Sequence, residues 1–282
     1  MSTGLLLQGT AVGYGQQASS RPETAAAARE HVGFDRNDYP GDAALPVLRR
    51  HFSFVGYWLT NPPGGTTNSW QGKRDVLLQH GFGFLVLANG KEDAAILKAT
   101  KASRSSAEAV GRHDGEAAVG AAKRERFPAG TILFLDQEEG GRLLPEQAEY
   151  LLGWTEAVSG SAYKAGAYIS GQPVGDGPGK TITTAQDVRA QIAGRHLHPV
   201  TLWVYQDACP PSNGCTLRPP ALSASGTPDA AVWQYAQSPR RNEITGACAK
   251  TYGTDGNCTL PELPGMHLDL SVARSADPSH GR

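Results

Sequence analysis

The sequence predicts an α/β fold: a TIM-barrel-like (β/α)-barrel of five βα units followed by three loop-connected strands. Three observations carry this expectation. Eight apolar runs bounded by turn residues recur along the chain, the strand count of a closed barrel. Helical stretches separate the first five runs, and strands alternating with helices argue for parallel βα units. The stretches between the last three runs are rich in Pro, Gly, Ser and Asn and read as loops. A length of 282 residues suits this architecture, which commonly needs about 250.

The first strand is Val32-Gly33-Phe34-Asp35, and a helical stretch from Asp42 to His51 leads to the second, Phe52 to Trp58. Ser69 to His80 precedes the third strand, Phe82 to Leu87. A long Ala-rich segment from Asp93 to Arg126 precedes the fourth, Thr131 to Asp136. Pro145 to Val158 places Glu146, Glu149 and Glu156 on a polar face and leads to the fifth strand, Ala165 to Ser170. Thr184-Ala185-Gln186-Asp187 resembles a capping box, with Asp in the Glu/Gln place, opening a helix that runs to about Ala193. The last strands are Thr201 to Tyr205, Ala231 to Tyr235 and His267 to Val272, with the loops Pro210 to Asp229 and Ser238 to Gly265 between them. The expected organisation is a leader over 1–29, a barrel over 30–276 and a short tail over 277–282.

Composition narrows the function. Lys plus Arg number 26 against 27 Asp plus Glu, a net charge of −1, so there is no basic footprint for nucleic acid. No run of 18 apolar residues is present, so no transmembrane segment is expected. Residues Met1 to Ser20 resemble the tail of a signal peptide, with a short apolar stretch at Leu5-Leu6-Leu7 and small residues near Ala18. Cys209, Cys215, Cys248 and Cys258 are spaced C-x5-C and C-x9-C, without the C-x2-C pair of a zinc site. Two local disulfides pinning the late loops fit this spacing, and they fit a secreted or extracytoplasmic protein, expected to be a monomer. Gly179-Lys180-Thr181 lacks the first glycine of a phosphate loop, where Val174 stands. His196-x-His198 precedes the sixth strand, on the stability face of a barrel, and reads as surface loop.

Functional residues of such barrels gather at the C-terminal strand ends. Asp35 ends strand one, Asp136 and Glu138 end strand four, Asp207 follows strand six and Asp269 lies in strand eight. Asp136 and Glu138 share a face by the two-residue period of a strand. Glycoside hydrolysis needs a protonated acid at the leaving oxygen and a second group at the anomeric centre. Mutual repulsion and an apolar surround raise one of two neighbouring carboxyls. Glu138, the longer side chain, is assigned as the acid and Asp136 as its partner. Exposed acids capping the next helix are the alternative for this pair. A Mg²⁺ or Ca²⁺ site of Asp35, Asp136, Glu138 and Asp269 is the rival chemistry, but His267 is the only histidine near a strand end, so no metal or cofactor is expected. Sugar rings stack on flat aromatic side chains. Tyr57, Trp58, Trp233 and Tyr235 near strand ends, with Tyr168, are the candidate platforms, alongside Asp207.

These motifs resemble the glycoside hydrolase family 25 lysozymes, which are N-acetylmuramidases. The residues concerned are Gly33-Phe34-Asp35, Leu135-Asp136-Gln137-Glu138, Trp233-Gln234-Tyr235 and Leu268-Asp269-Leu270. The closer resemblance is to the related glycoside-hydrolase-like domain of unknown function 1906 family. It is carried by Gly56 to Leu59, Phe84 to Leu87, Asp136 to Gly140 and Gly166 to Ser170, over about residues 31 to 275. The resemblance implies a barrel of five βα units and three further strands. It also implies Glu138 as general acid, Asp136 as partner, Asp35 and Asp269 as flanking acids, and assistance by the substrate's own N-acetyl group. The implied substrate is a β-linked N-acetylated glycan such as peptidoglycan. Two positions depart from the lysozyme pattern: Tyr57-Trp58-Leu59-Thr60 replaces a Lys-containing stretch, and Ser271 replaces an Asn. A catalytically silent glycan-binding domain on the same barrel is the alternative function.

Overall fold

The computed structural model describes Met1 and residues 30–282; the leader expected over 1–29 otherwise lies outside the described residues. The barrel strands are β1 (His31–Asp35), β2 (Phe54–Trp58), β3 (Gly83–Asn89), β4 (Ile132–Asp136), β5 (Lys164–Ser170), β6 (Thr201–Tyr205), β7 (Val232–Ala236) and β8 (Asp269–Ala273). They close in the order β1-β8-β7-β6-β5-β4-β3-β2. Neighbours from β1 through β7 are parallel, whereas β8 runs antiparallel to both β1 and β7. Because β8 is reversed, its first residue, Asp269, pairs with the last residue of β1, Asp35.

Six α-helices accompany the parallel part: α1 (Leu45–His51), α2 (Arg74–Gln79), α3 (Asp93–Ser103), α4 (Ala107–Arg124), α5 (Pro145–Ser159) and α6 (Thr184–Arg195). The Ala-rich segment expected as one helix is two, broken where Arg104 adopts a left-handed conformation at φ 54°. The capping box of α6 sits one residue earlier than expected. Thr183 accepts from the Gln186 backbone, and the Gln186 side chain accepts from the Thr183 backbone, so both orphan groups are satisfied by the Ser/Thr-x-x-Gln chemistry. The loops after β6 and β7 hold no α-helix, as the sequence implies.

Each strand presents alternate residues to the barrel interior and to the outer layer. Phe54, Phe134 and Trp203 fill the interior. The walls opposite them are thinned by glycine: a side chain at Gly33 would overlap the Phe54 ring, and one at Gly166 the Phe134 ring. Phe34, Tyr57 and Phe84 face outward and pack with Phe52, Trp70 and Phe127 under the helices. The tail expected outside the barrel is built into it. Ser279 donates its amide to the Phe84 carbonyl, accepts from the Val86 amide on its hydroxyl, and its carbonyl accepts from Ile132, so it bridges the feet of β3 and β4.

The disulfides are not local. Cys209 bonds Cys248 and Cys215 bonds Cys258, spanning 39 and 43 residues. Both cross from the loop after β6 to the loop after β7. A pairing of sequence neighbours would leave these two loops separate, whereas the crossed pairing makes them one cover over the β6–β7 side.

Candidate active site

Four carboxyl groups meet at the end of the barrel where the parallel strands finish. Asp35 and Asp136 are buried and Asp269 is half-buried, while Glu138, two residues beyond β4, is open to solvent. Room for Asp35 comes from β2, because a side chain at Gly56 would overlap the Asp35 Cβ. Gln234 in β7 points into the same space and donates Nε2 to both Asp35 oxygens at 3.1 and 3.2 Å. Its Oε1 accepts from the Tyr168 hydroxyl at 2.6 Å, and that hydroxyl in turn accepts from Gln237 Nε2 at 3.0 Å. Asp269 accepts from the Ser238 amide. Oδ1 of Asp136 is buried and has no hydrogen-bond partner.

Burial and crowding set the protonation of this cluster. Burial pushes Asp35 up to about 7, opposed by the Gln234 hydrogen bond and reinforced by Asp136 and Glu138. Asp136 is held well above the ordinary carboxylic range by burial, then by Glu138 and Glu139. Asp269 is likewise raised by burial and by Asp35, against the Ser238 amide. Glu138 is raised too, by the surrounding protein first and by Glu139 and Glu92, with Arg241 pulling the other way. Like charges this close cannot all ionise together, so the cluster retains protons near neutrality and its carboxyls titrate as a coupled set.

Two cavities meet at Glu138. One of about 360 Å³ is lined by Asp35, Arg36, Ser238, His267 and Asp269, and the other, of about 530 Å³, by Asn89, Lys91, Asp136, Gln137 and Gln147. Both are bordered by Pro63 and Glu138, so they form one groove across the mouth with the acid at its middle. A larger cavity of about 570 Å³ lies on the outer wall against α4 and contains none of the four acids. Among the described residues no group of three or more His, Cys, Asp or Glu side chains is arranged to hold a metal ion.

The aromatic candidates separate by face. Tyr168 is inside the mouth, tilted against Trp203 at 4.4 Å between ring centres. Trp58 also faces inward, but it is nearly buried and its indole donates to the Arg36 carbonyl at 3.1 Å. Tyr57 lies outside the barrel, its hydroxyl on Glu125 at 2.6 Å. Trp233 and Tyr235 are fully buried beneath the stapled loops, donating to the Gln206 and Thr216 carbonyls, each at 2.8 Å. Tyr57, Trp233 and Tyr235 are therefore packing residues in this structure, remote from the groove. Asp207 is fully buried in an ion pair with Arg241 and accepts from Gln172. Sequence reasoning gave no site role to Gln234, Gln237, Tyr205 or Arg241. For Gln234 the signal is present: a lone amide between two aromatics in an apolar strand must face away from them.

A closed barrel whose mouth gathers buried acids around one exposed Glu defines a glycoside-hydrolase-like protein. The chain belongs to the family of the Rv2525c-like, glycoside hydrolase-like domain, whose model matches residues 50–248. Among solved structures, an uncharacterized protein of B. stearothermophilus aligns with a TM-score of 0.53 and 19% identity over 86% of this chain and 95% of that one. The Tat-secreted protein Rv2525c of Mycobacterium tuberculosis, in complex with L-tartrate, aligns with a TM-score of 0.51 and 11% identity over 87% and 95%. Identities at this level speak to the fold alone. GHIP, a glycosyl hydrolase 25 of Streptococcus pneumoniae, aligns with a TM-score of 0.44 and 14% identity over 86% of each chain. By sequence, no curated protein matches the chain.

Proposed function

We propose that this protein is an extracytoplasmic glycoside hydrolase acting on β-linked N-acetylated glycans such as peptidoglycan. The observation that carries the reading is Glu138, a carboxyl raised above its ordinary range at the junction of two cavities that together make one groove. A glycan lying across the mouth would place sugars on both sides of it. Glu138 then gives its proton to the leaving oxygen, as the general acid of glycoside cleavage must. In this reading Asp136, whose Oδ1 has no partner in the protein, would orient the substrate's N-acetyl group, which serves as the internal nucleophile and spares the protein one. Asp35 is fixed by Gln234 and paired in register with Asp269, and the two acids flank the developing positive charge. Two disulfides, and the Tat-secreted character of the mycobacterial relative, support an extracytoplasmic site. No helix among the described residues is long and apolar enough to cross a membrane.

The test is reducing-sugar release from purified peptidoglycan and from chitooligosaccharides. Glu138→Gln should lower the rate by roughly 10²–10⁴-fold, the usual contribution of a general acid, while glycan affinity persists. The basic limb of the rate profile should lie above that of an ordinary Glu, because a raised carboxyl keeps its proton to higher pH. If wild type and variant both bind glycan and neither releases sugar, the barrel is a binding module and its acids are hydrogen-bonding groups for the ligand.

A further inference from the structure

Arg241, in the loop between β7 and β8, is fixed by an unusual number of contacts. Its Nε donates to Oδ2 of Asp207 at 3.0 Å and its Nη2 to Oδ1 of the same carboxylate. Gln172 Nε2 completes that carboxylate at 2.9 Å. The guanidinium lies 5.1 Å from the centre of the Tyr205 ring, and the Tyr205 hydroxyl donates to the backbone carbonyl of Glu138. The Arg241 carbonyl accepts from the amides of Ile244 and Thr245, each at 3.1 Å, and from the Thr245 hydroxyl. This turn is tied to the loop after β6 by the Cys209–Cys248 disulfide and by the Cys209 amide on the Ile244 carbonyl.

We infer that Arg241 is a positioning residue for the acid: clamped by Asp207 and seated over the Tyr205 ring, it holds Tyr205, whose hydroxyl fixes the Glu138 backbone, and brings its charge to bear on that acid from the stapled loop. The inference rests on the reading of Glu138 as general acid. An arginine suits the task because its planar fork grips a carboxylate with two bonds and still stacks on a ring. A fully buried Asp207 would be costly without that partner, so the pair is stable in one geometry. The side chain remains 31% exposed.

The other groups around Glu138 are mixed: Lys91, Arg36 and His267 line the cavities it borders, while its acidic neighbours raise its pKa. Glu139 and Glu92 are anionic neighbours; Asp136, Asp35 and Asp269 of the cluster interact with it, as do the Tyr168 and Tyr205 hydroxyls. Arg241 acts against those acids. An acid whose proton is held too firmly donates it poorly, and general acids work best when they titrate near the operating pH. Arg241 thus keeps Glu138 acidic enough to give up its proton, while the surrounding protein and Glu139 keep it protonated.

The experiment is a carbon-13 titration of the full-length, disulfide-bonded protein labelled at glutamate carboxyls, with the Glu138 resonance assigned by its loss in Glu138→Gln. In Arg241→Gln the Glu138 midpoint should rise by roughly half to one pH unit, as expected for losing a nearby opposite charge. Arg241→Lys, which keeps the charge without the fork, should return it most of the way. If Arg241→Gln does not fold because Asp207 is left unpaired, Asp207→Asn, which keeps the cation and removes its counter-charge, should lower the Glu138 midpoint instead. An unmoved Glu138 midpoint in either folded variant overturns the inference and leaves Asp207–Arg241 as a structural pair. The readout needs no turnover, so an inactive wild type would refute the hydrolase reading without deciding this one. Where turnover is measured, the basic limb should move up by the same amount in Arg241→Gln.

Discussion

The first five strands and the last three cover the same kind of surface, the outside of a barrel wall, with different materials. From β1 to β5 the outward side chains are roofed by helices; α5, for example, buries Tyr150, Leu151 and Trp154. Around β6 and β7 no α-helix is available, and Trp233 and Tyr235 lie under irregular loops joined by two crossed disulfides. A helix satisfies its own backbone and offers an apolar face by periodicity. A Pro- and Gly-rich loop does neither, so its order must come from covalent links and from side chains that bond to its backbone. The mouth of the barrel is built from both materials. Asp35, Asp136 and Glu138 come from the helical part, while Asp269, Gln234 and Arg241 come from the stapled part.

The largest expected break is therefore redox. Replacing Cys209 and Cys248 together by Ser opens a link spanning 39 residues, which costs about 4 kcal/mol on the loop-closure model; the Cys215–Cys258 link, spanning 43, costs about the same. Denaturant melts of each double variant should show the loss. Limited proteolysis should cut first within residues 207–268, while far-UV circular dichroism retains the helical signal. Cleavage spread evenly along the chain would mean that the two parts are one cooperative unit and that the contrast is only one of appearance.

A smaller effect comes from the seam where the parts meet. Asp35 titrates near 7 when folded, against about 3.8 when free, so its raised pKa favours the folded state fully below about 3.8. That stabilisation is lost as the pH climbs through about 7. Asp136 and Asp269 are shifted in the same direction. The protein should thus melt higher near pH 5 than near pH 8, by at least a few degrees, since 1 kcal/mol moves a domain of this size by roughly 2–4 °C. Scanning calorimetry across that range is the check; a melting temperature flat with pH would mean that water reaches the acids freely.

How much of this was legible in the sequence follows the same division. The eight apolar runs locate all eight strands, because burial on both faces leaves a continuous hydrophobic signature. Asp35, Asp136 and Glu138 were legible because they end or follow such runs, and Asp269 because it interrupts one. The reversal of β8 was not: hydropathy carries no strand direction, and only the return of the chain beside β1 shows it. Nor was the disulfide pairing, since four cysteines permit three connectivities and spacing does not choose among them. Trp233 and Tyr235 look like sugar platforms by position, yet two-residue alternation turns them outward and sends Gln234 inward. Ser279 was invisible for another reason: its value lies in bridging β3 and β4, a contact made about 150 to 195 residues away along the chain that no local pattern announces.

The finest comparison sets one hydroxyl in each part against the other. Thr183 caps α6 by accepting from the Gln186 amide at 3.1 Å, and removing such a cap costs about 1 kcal/mol. Ser212 does the equivalent work in the loop after β6, accepting from the Gly214 amide at 2.9 Å and donating to the Tyr235 carbonyl. Ser212 is almost wholly buried, so truncating it strands a donor and an acceptor where water cannot replace it, at about 1–3 kcal/mol. Ser212→Ala should therefore lower the melting temperature more than Thr183→Ala. The difference should vanish in reduced protein, because a loop freed of its cross-links can rehydrate both groups. A Thr183→Ala loss equal to or larger than that of Ser212→Ala in the oxidised protein would show that the loops hold together without their side-chain bonds. The disulfides alone would then distinguish the two parts.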